Sequence, residues 1–331
     1  MMSEFNNYHI FLLFPRDTLC DIDDISMTRG REWRSEIRAE CVFPVLDPSS
    51  CPAAINVEFA MKYQPIRAIT EDEIRTYEED GIVCLRQLFD RDTVKRLQDA
   101  AEADMAAPSP MGLNATRDGQ GHFFGDTFVW RHLEELHDFV FESPSADIAA
   151  ALLRASKVNL LFDQFLIKMP GTSTPTLWHH DAPYWPVAGS QVCTIWLALD
   201  PVTKASGAVE YVCGSHRWGK RFKAVAFKDQ DLYKEDLPPV PDIEAMRSEL
   251  KFVQFELEPG DCTVHHGLTV HGAPGNSSTE LKRRAYIVRW MGDDVTYNPR
   301  PNLQPMLHDP GIAVGGPLDC DLFPVVRPRA A

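Results

Sequence analysis

Trp178-His179-His180-Asp181 is the stretch on which the reading of this chain turns, together with a distant second one, Val270-His271-Gly272. On an extended strand, residues i and i+2 share a face. His179 and Asp181 can therefore reach one ion, whereas His179 and His180 point to opposite sides. A histidine from the second stretch would complete a set of two imidazoles and one carboxylate on one face of a metal. With the remaining positions open, that is the donor set of non-haem Fe(II) oxygenases. A His-x-Asp pair also arises by chance in large chains, so its neighbours have to carry the argument.

Downstream, Glu258-Pro259-Gly260-Asp261 is a turn that leads into Cys262-Thr263-Val264-His265-His266, and then into His271-Gly272-Ala273-Pro274-Gly275-Asn276. His265, His266 and His271 compete for the third ligand position. His271 is favoured because it sits where a strand meets a Gly/Pro/Asn turn, at a rim. His265 and His266 lie within the preceding strand, where core or supporting roles suit them equally. Next, Lys282-Arg283-Arg284 runs straight into Ala285-Tyr286-Ile287-Val288. Alone this reads as a solvated basic cluster. Beside a metal triad, one guanidinium turned inward would grip a carboxylate through two hydrogen bonds, as a 2-oxoglutarate cosubstrate requires.

Around these motifs lie 331 residues of ordinary globular composition, 44% hydrophobic, enough for a full core. The formal net charge of -15 argues against a nucleic-acid partner or a basic membrane-facing patch. It does not identify a substrate, because a local cationic pocket survives inside an acidic surface; a small molecule is the expected partner, with oligomeric state open. Eight scattered cysteines without a CxxC read as reduced thiols of a cytoplasmic protein. The apolar run from Ile10 to Phe14 is too short to span a membrane and has no cleavage-site context.

Residues 1–64 sustain no helical or strand periodicity and read as an extension, flexible or loosely packed, with Met61 as an alternative start. A clean opening follows. Thr70 caps a helix with Glu73 closing a capping box, and Gly81 ends it. Ile82 to Leu85 reads as a strand, and Asp90 or Asp92 caps a second helix. His122-Phe123-Phe124 and Thr127 to Trp130 are aromatic strand or loop pieces. Ser143-Pro144 starts another helix, with Pro144 at its first position. From Val158 the pattern changes to short β-type runs: 158–169, 192–199, 208–213, 252–257, 262–266 and 285–291. Helices followed by many short strands predict a mainly β fold, a sandwich or barrel flanked by helices. Lys220 to Leu250 interrupts the strands and has the length of a lid or binding loop.

Three blocks, LIKMPGTSTPTLWHHDAPYWP, TIWLALDPVTKASGAVEYVCGSH and PGDCTVHHGLTVHGAPGNSSTELKRRAYIV, occur in this order. In them the chain resembles the phytanoyl-CoA dioxygenase family of Fe(II)/2-oxoglutarate oxygenases, from residue 66 onward. The resemblance implies a double-stranded β-helix, a jelly-roll or cupin-like barrel, with residues 65–331 as the catalytic domain. It implies iron held by His179, Asp181 and His271, with 2-oxoglutarate and O2 as cosubstrates. Arg283 would grip the far carboxylate of 2-oxoglutarate. The family's usual gap from distal histidine to arginine is one residue shorter, which keeps Arg284 as the alternative. Trp196 matches a tryptophan of the cosubstrate pocket, and Lys168 and Gln164 lie on the strand leading to the motif. His216, with its neighbours Gly214 and Ser215, matches a structural turn.

Related halogenases carry a small residue in place of the ligand carboxylate. Retention of Asp181 therefore implies hydroxylation of a small or lipid-like molecule, with succinate and CO2 released. Tyr184 and Trp185, next to the ligand pair, and His122 and Phe124, from the helical side, are candidate substrate walls, as are Phe123 and Trp130. The rival readings are a cupin-like isomerase or hydrolase using Zn(II) or Mn(II), which needs no inward arginine, and a non-catalytic metal-binding relative.

Overall fold

The computed structural model describes residue 63 and residues 65–116, 121–225, 235–301 and 303–328. The predicted extension over 1–64 lies outside these residues except for Tyr63, which is buried with its ring 5.5 Å from that of Phe139.

The helical opening forms as its caps dictate. Helix α1 (Glu71–Asp80) begins at Thr70 with the complete capping box to Glu73 and ends at Gly81, whose φ of 73° suits a residue without Cβ. Strand β1 (Ile82–Leu85) follows, then α2 (Arg91–Ala106), capped by Asp90. After β2 (Leu113–Asn114) and β3 (Phe123–Thr127) come α3 (Glu134–Glu142) and α4 (Ser145–Leu153). Pro144 occupies the cap of α4, one residue before the first-turn position expected of it. No helix was expected at α3, because its start carries no side-chain cap. Its Leu136, Phe139 and Val140 are nevertheless buried at helical spacing.

The rest of the chain is β4 (Val158–Lys168), β5 (Thr176–His179), β6 (Val187–Ala188), β7 (Val192–Ala198), β8 (Glu210–Val212), β9 (Phe252–Gln254), β10 (Cys262–His266), β11 (His271–Ala273), β12 (Arg283–Met291), β13 (Thr296–Tyr297) and β14 (Val325–Arg327). The major sheet runs β1-β10-β7-β12-β4-β3-β2, with β14 also on β4, and the minor sheet runs β5-β11-β8-β9. Every strand pair is antiparallel. This is the jelly-roll barrel, mainly β with a helical layer.

Strand β12 shows why the major sheet is covered on one face and functional on the other. Tyr286, Val288 and Trp290 point to the helices and join Leu97, Phe139 and Leu152 in the main core. Trp290 also donates to the Ser145 hydroxyl at 3.0 Å. The alternate residues Arg283, Ile287 and Arg289 turn to the barrel interior. In the Lys220–Leu250 insertion, Phe222 and Ile243 pack with Val212 and Val270 against the minor sheet. Its residues 226–234 lie outside the described residues.

Under the helices the core holds buried carboxyls. Asp104 on α2 is fully buried, and its pKa is pushed up to about 8 by burial and then by Asp126 on β3. Asp163 on β4 is pushed up to about 7 by burial, against the opposing hydrogen bond from the Tyr286 hydroxyl at 2.7 Å. An aspartate whose folded pKa lies above its unfolded value of about 3.9 stabilises fully below that value and loses the contribution as pH rises through the folded one. Asp104→Asn, neutral at every pH, is therefore expected to lose less of its urea midpoint than wild type between about pH 5 and pH 8. Equal losses in the two proteins would contradict this role for Asp104.

Candidate metal centre

His179 and His271 are direct cross-strand partners in the β5–β11 pair. Directly opposed residues leave a sheet on the same face, a few ångströms apart, and the two rings lie 4.3 Å apart between centroids. Asp181 arrives differently from the sequence argument. The chain leaves β5 at His179, and Asp181 has helical backbone angles (φ -74°, ψ -38°) at the head of the 3-10 turn Ala182–Tyr184. Strand parity therefore does not aim it; the turn does. His180 faces away, as expected, and its Nε2 accepts the Phe222 N–H at 2.9 Å.

The donor atoms of His179, Asp181 and His271 lie within 4.8 Å of one another. Asp181 Oδ1 is 3.5 Å from His179 Nε2 and 3.8 Å from His271 Nε2, too far for hydrogen bonds. Each group is instead held from behind. His179 Nδ1 lies 2.7 Å from the Leu177 carbonyl and His271 Nδ1 2.9 Å from the Thr269 carbonyl, which leaves both Nε2 atoms as the free lone pairs. Asp181 Oδ2 accepts from the Thr194 hydroxyl at 2.8 Å and contacts His265 Nε2 at 3.3 Å and Arg289 Nε at 3.8 Å.

Those last three residues form one row of the major sheet, since Thr194 pairs with His265 on one side and Arg289 on the other. Burial opposes ionisation of Asp181, but His179, His265, His271 and Arg289 together hold its pKa well below the usual carboxylate range. Burial and the neighbouring imidazoles hold His271 neutral. Two imidazole Nε2 atoms and a carboxylate oxygen turned on one point, within 4.8 Å of one another, fit a divalent cation.

The centre opens into a cavity of about 610 Å³. Arg283 lines it, 2% exposed, with its guanidinium 5.5 Å from the Trp196 ring and no carboxylate in ion-pair contact. Burial pushes its pKa down to about 10, so it stays charged at neutral pH. Arg284, the alternative, points outward and pairs with Asp200 and Glu102. Gln164, Trp196, Tyr184 and Trp185 also line the cavity. The Tyr184 hydroxyl donates to the Val225 carbonyl at 2.6 Å and so ties down the start of the insertion.

Other expected contacts are not brought together. Lys168 is fully buried off the cavity wall and donates to the Pro274 carbonyl at 2.8 Å. His122 and Phe124 do not line the cavity either. They share the parity of β3 that turns away from it: Phe124 belongs to the main core, as does Trp130, while Gly125 and Thr127 face inward. Phe123 lies under the Lys168 ammonium at 4.8 Å. His216 sits away from the centre, its Nε2 3.2 Å from the Glu78 carbonyl. Sequence reasoning missed Thr194, Arg289 and the cavity-lining Tyr211, whose ring stacks 5.7 Å from that of His271. For Arg289 a signal existed: it is a charge in the apolar run Ala285 to Met291, six residues from Arg283 and so on the same face.

Comparison with known proteins agrees with this geometry. The phytanoyl-CoA dioxygenase (PhyH) family profile matches residues 77–285. A probable phytanoyl-CoA dioxygenase of Caenorhabditis elegans is 24% identical over 251 residues, covering 69% of this chain and 77% of that protein. A probable alpha-ketoglutarate-dependent hypophosphite dioxygenase of Stutzerimonas stutzeri is 23% identical over 238 residues, covering 67% and 79%. Among solved structures, the non-heme alpha ketoglutarate dependent carbocyclase SnoK from nogalamycin biosynthesis superposes with a TM-score of 0.63 at 24% identity, covering 80% of this chain and 98% of that one. The epimerase SnoN gives 0.62 at 24%, covering 78% and 98%. Both show the same fold. No helix among the described residues is long and apolar enough to cross a membrane.

Supporting residues of a metal site typically contribute about 10- to 100-fold in affinity. Thr194→Val keeps the shape and removes the donor to Asp181 Oδ2. It is expected to weaken Fe(II) or Zn(II) binding about tenfold in a chelator competition, with His179→Ala abolishing binding. Unchanged affinity in Thr194→Val would remove the hydroxyl from the centre.

Proposed function

The chain belongs to the phytanoyl-CoA dioxygenase family, and from that premise we propose that it is an Fe(II)- and 2-oxoglutarate-dependent oxygenase that hydroxylates an unactivated C–H bond of a small, largely apolar molecule. In this reading residues 65–331 form the catalytic domain, and His179, Asp181 and His271 hold the iron. The observation that carries it is the pairing of two features in one cavity: the donor triad, and the buried, charged Arg283 without an anion. A buried guanidinium without a counter-ion is costly. A cosubstrate carboxylate supplies that counter-ion, and the bidentate fork fixes its direction.

When bound, iron with 2-oxoglutarate and O2 supplies an oxidant able to attack an unactivated C–H bond, with release of succinate and CO2. The chain's own part is position and enclosure. The Leu177 and Thr269 carbonyls fix the imidazole tautomers, and Thr194 and His265 fix which oxygen of Asp181 faces the ion. Trp196 flanks the Arg283 guanidinium and limits its swing. Tyr184 and Trp185 close the wall beside His179 and keep bulk water from the reacting carbon. Retention of Asp181 supports hydroxylation over halide chemistry, because the carboxylate occupies the place a halide would need. Arg283 speaks against a metal-dependent isomerase or hydrolase that takes no 2-oxoglutarate, since such an enzyme has no use for it.

Anaerobic Fe(II) with 2-oxoglutarate is expected to give a weak visible charge-transfer absorption, absent in His179→Ala and Asp181→Ala. With O2 and a screened substrate, succinate release should accompany a product carrying one added oxygen atom. A protein that binds iron but yields neither absorption nor succinate is not this enzyme. Arg283→Ala should raise the 2-oxoglutarate requirement by about tenfold or more, while Arg284→Ala leaves it nearly unchanged.

A further inference from the structure

A second arginine faces the same cavity, and beyond its electrostatic pull on Asp181 the oxygenase reading gives its guanidinium no hydrogen-bonded anion. Arg289 is 7% exposed and lines the cavity wall. Its Nη2 donates to Gln164 Oε1 at 3.0 Å, while Nε and Nη1 are buried without a hydrogen-bond acceptor. The nearest carboxylate, Asp181, is 3.8 Å from Nε, beyond hydrogen-bond reach, and its Oδ2 is already taken by Thr194 and His265. Asp163 also acts on Arg289 electrostatically. It projects from the opposite face of the sheet, however, towards the helices, where it accepts from Tyr286.

The guanidinium is built into place. It lies 4.5 Å from the Phe162 ring and 5.7 Å from the Trp185 ring. The β4–β12 register shifts between Arg289 and Trp290, and a bulge beside a site re-aims a side chain. Six residues of strand separate Arg289 from Arg283, about 20 Å. The two cations therefore cannot share the far carboxylate of 2-oxoglutarate.

Formal charge points the same way. Ferrous iron, the Asp181 carboxylate, the two carboxylates of 2-oxoglutarate and Arg283 cancel one another. Arg289 remains, one positive charge beside the Phe162 and Trp185 rings in a chamber whose lining also includes the apolar Met111, Leu113 and Pro305. We infer that Arg289 is the recognition residue for the primary substrate, and that this substrate carries a single carboxylate on an apolar body. Because Arg289 reaches to within 3.8 Å of a metal-binding carboxylate, the carbon it presents for oxidation lies only a few bonds from the substrate's own carboxylate. The inference rests on the oxygenase reading and names the substrate class for the same centre.

The test uses the full-length protein loaded anaerobically with Fe(II) and 2-oxoglutarate. The charge-transfer absorption is recorded first; its absence in wild type would be a failure of the oxygenase reading and is seen before any probe is added. Octanoate and 4-phenylbutyrate are then titrated, each against its neutral amide, with binding read by ligand-observed NMR on the Zn(II)-substituted protein and by the shift of the absorption. Wild type should bind each carboxylate about tenfold or more tighter than its amide, a difference of about 1.4 kcal/mol. That preference should vanish in Arg289→Gln and return in part in Arg289→Lys, with the 2-oxoglutarate absorption intact in both. A residue that merely supported Asp181 would alter metal affinity without touching the carboxylate-over-amide preference. The proposal is overturned by equal binding of acid and amide, by no binding of either, by a preference that survives in Arg289→Gln, or by loss of the 2-oxoglutarate complex in that variant.

Discussion

The carboxylate of Asp181 has to stay ionised inside the barrel, and much of the interior is arranged to that end. An isolated buried carboxylate would protonate rather than bear its desolvation cost. Here one oxygen faces two imidazoles from the minor sheet, while the other meets one row of the major sheet, where it accepts from Thr194 and lies near His265 and the Arg289 charge. The two sheets therefore converge on a single functional group. That row depends on strand register. A slip of one residue between β7 and either neighbour would replace these polar side chains with ones from the opposite face.

Much of this was readable from local signals. The α1 caps, the β runs from Val158 onward and the pairing of His179 and Asp181 with His271 depend on neighbours in sequence or on a short motif. What escaped depends on contacts between distant strands. His122 and Phe124 were expected at the cavity because aromatic residues cluster there, yet the parity of β3 sends Phe124 into the helical core and gives the wall to Gly125 and Thr127. Lys168 stands opposite Arg283 in the β4–β12 ladder but reaches a backbone carbonyl first. Thr194 is an unremarkable residue in sequence; only its place between His265 and Arg289 gives it a role.

The two faces of the major sheet handle charge in opposite ways. On the helical side, Asp104 and Asp163 have no cation in hydrogen-bond contact, and burial raises their pKa values. On the cavity side, cations outnumber the anion: Arg283 and Arg289 both remain without a hydrogen-bonded carboxylate. One sheet thus separates a region that favours neutral acids from one that attracts anions. A ligand carrying negative charge is drawn to the interior of a protein whose overall charge is -15.

The ends of the segment between His271 and Arg283 are anchored in different sheets. His271 is set by its pairing with His179, and Arg283 by its pairing with Lys168. Between them, the Asn276 side chain donates to the carbonyls of Lys168 and Leu281 and gathers the loop at its middle. Residues added or lost on the loop's exposed part, around Ser277 to Glu280, would change the count between His271 and Arg283 without displacing either. Counting residues from the distal histidine is then a poor way to find the corresponding arginine in a related chain, and strand pairing is the better ruler.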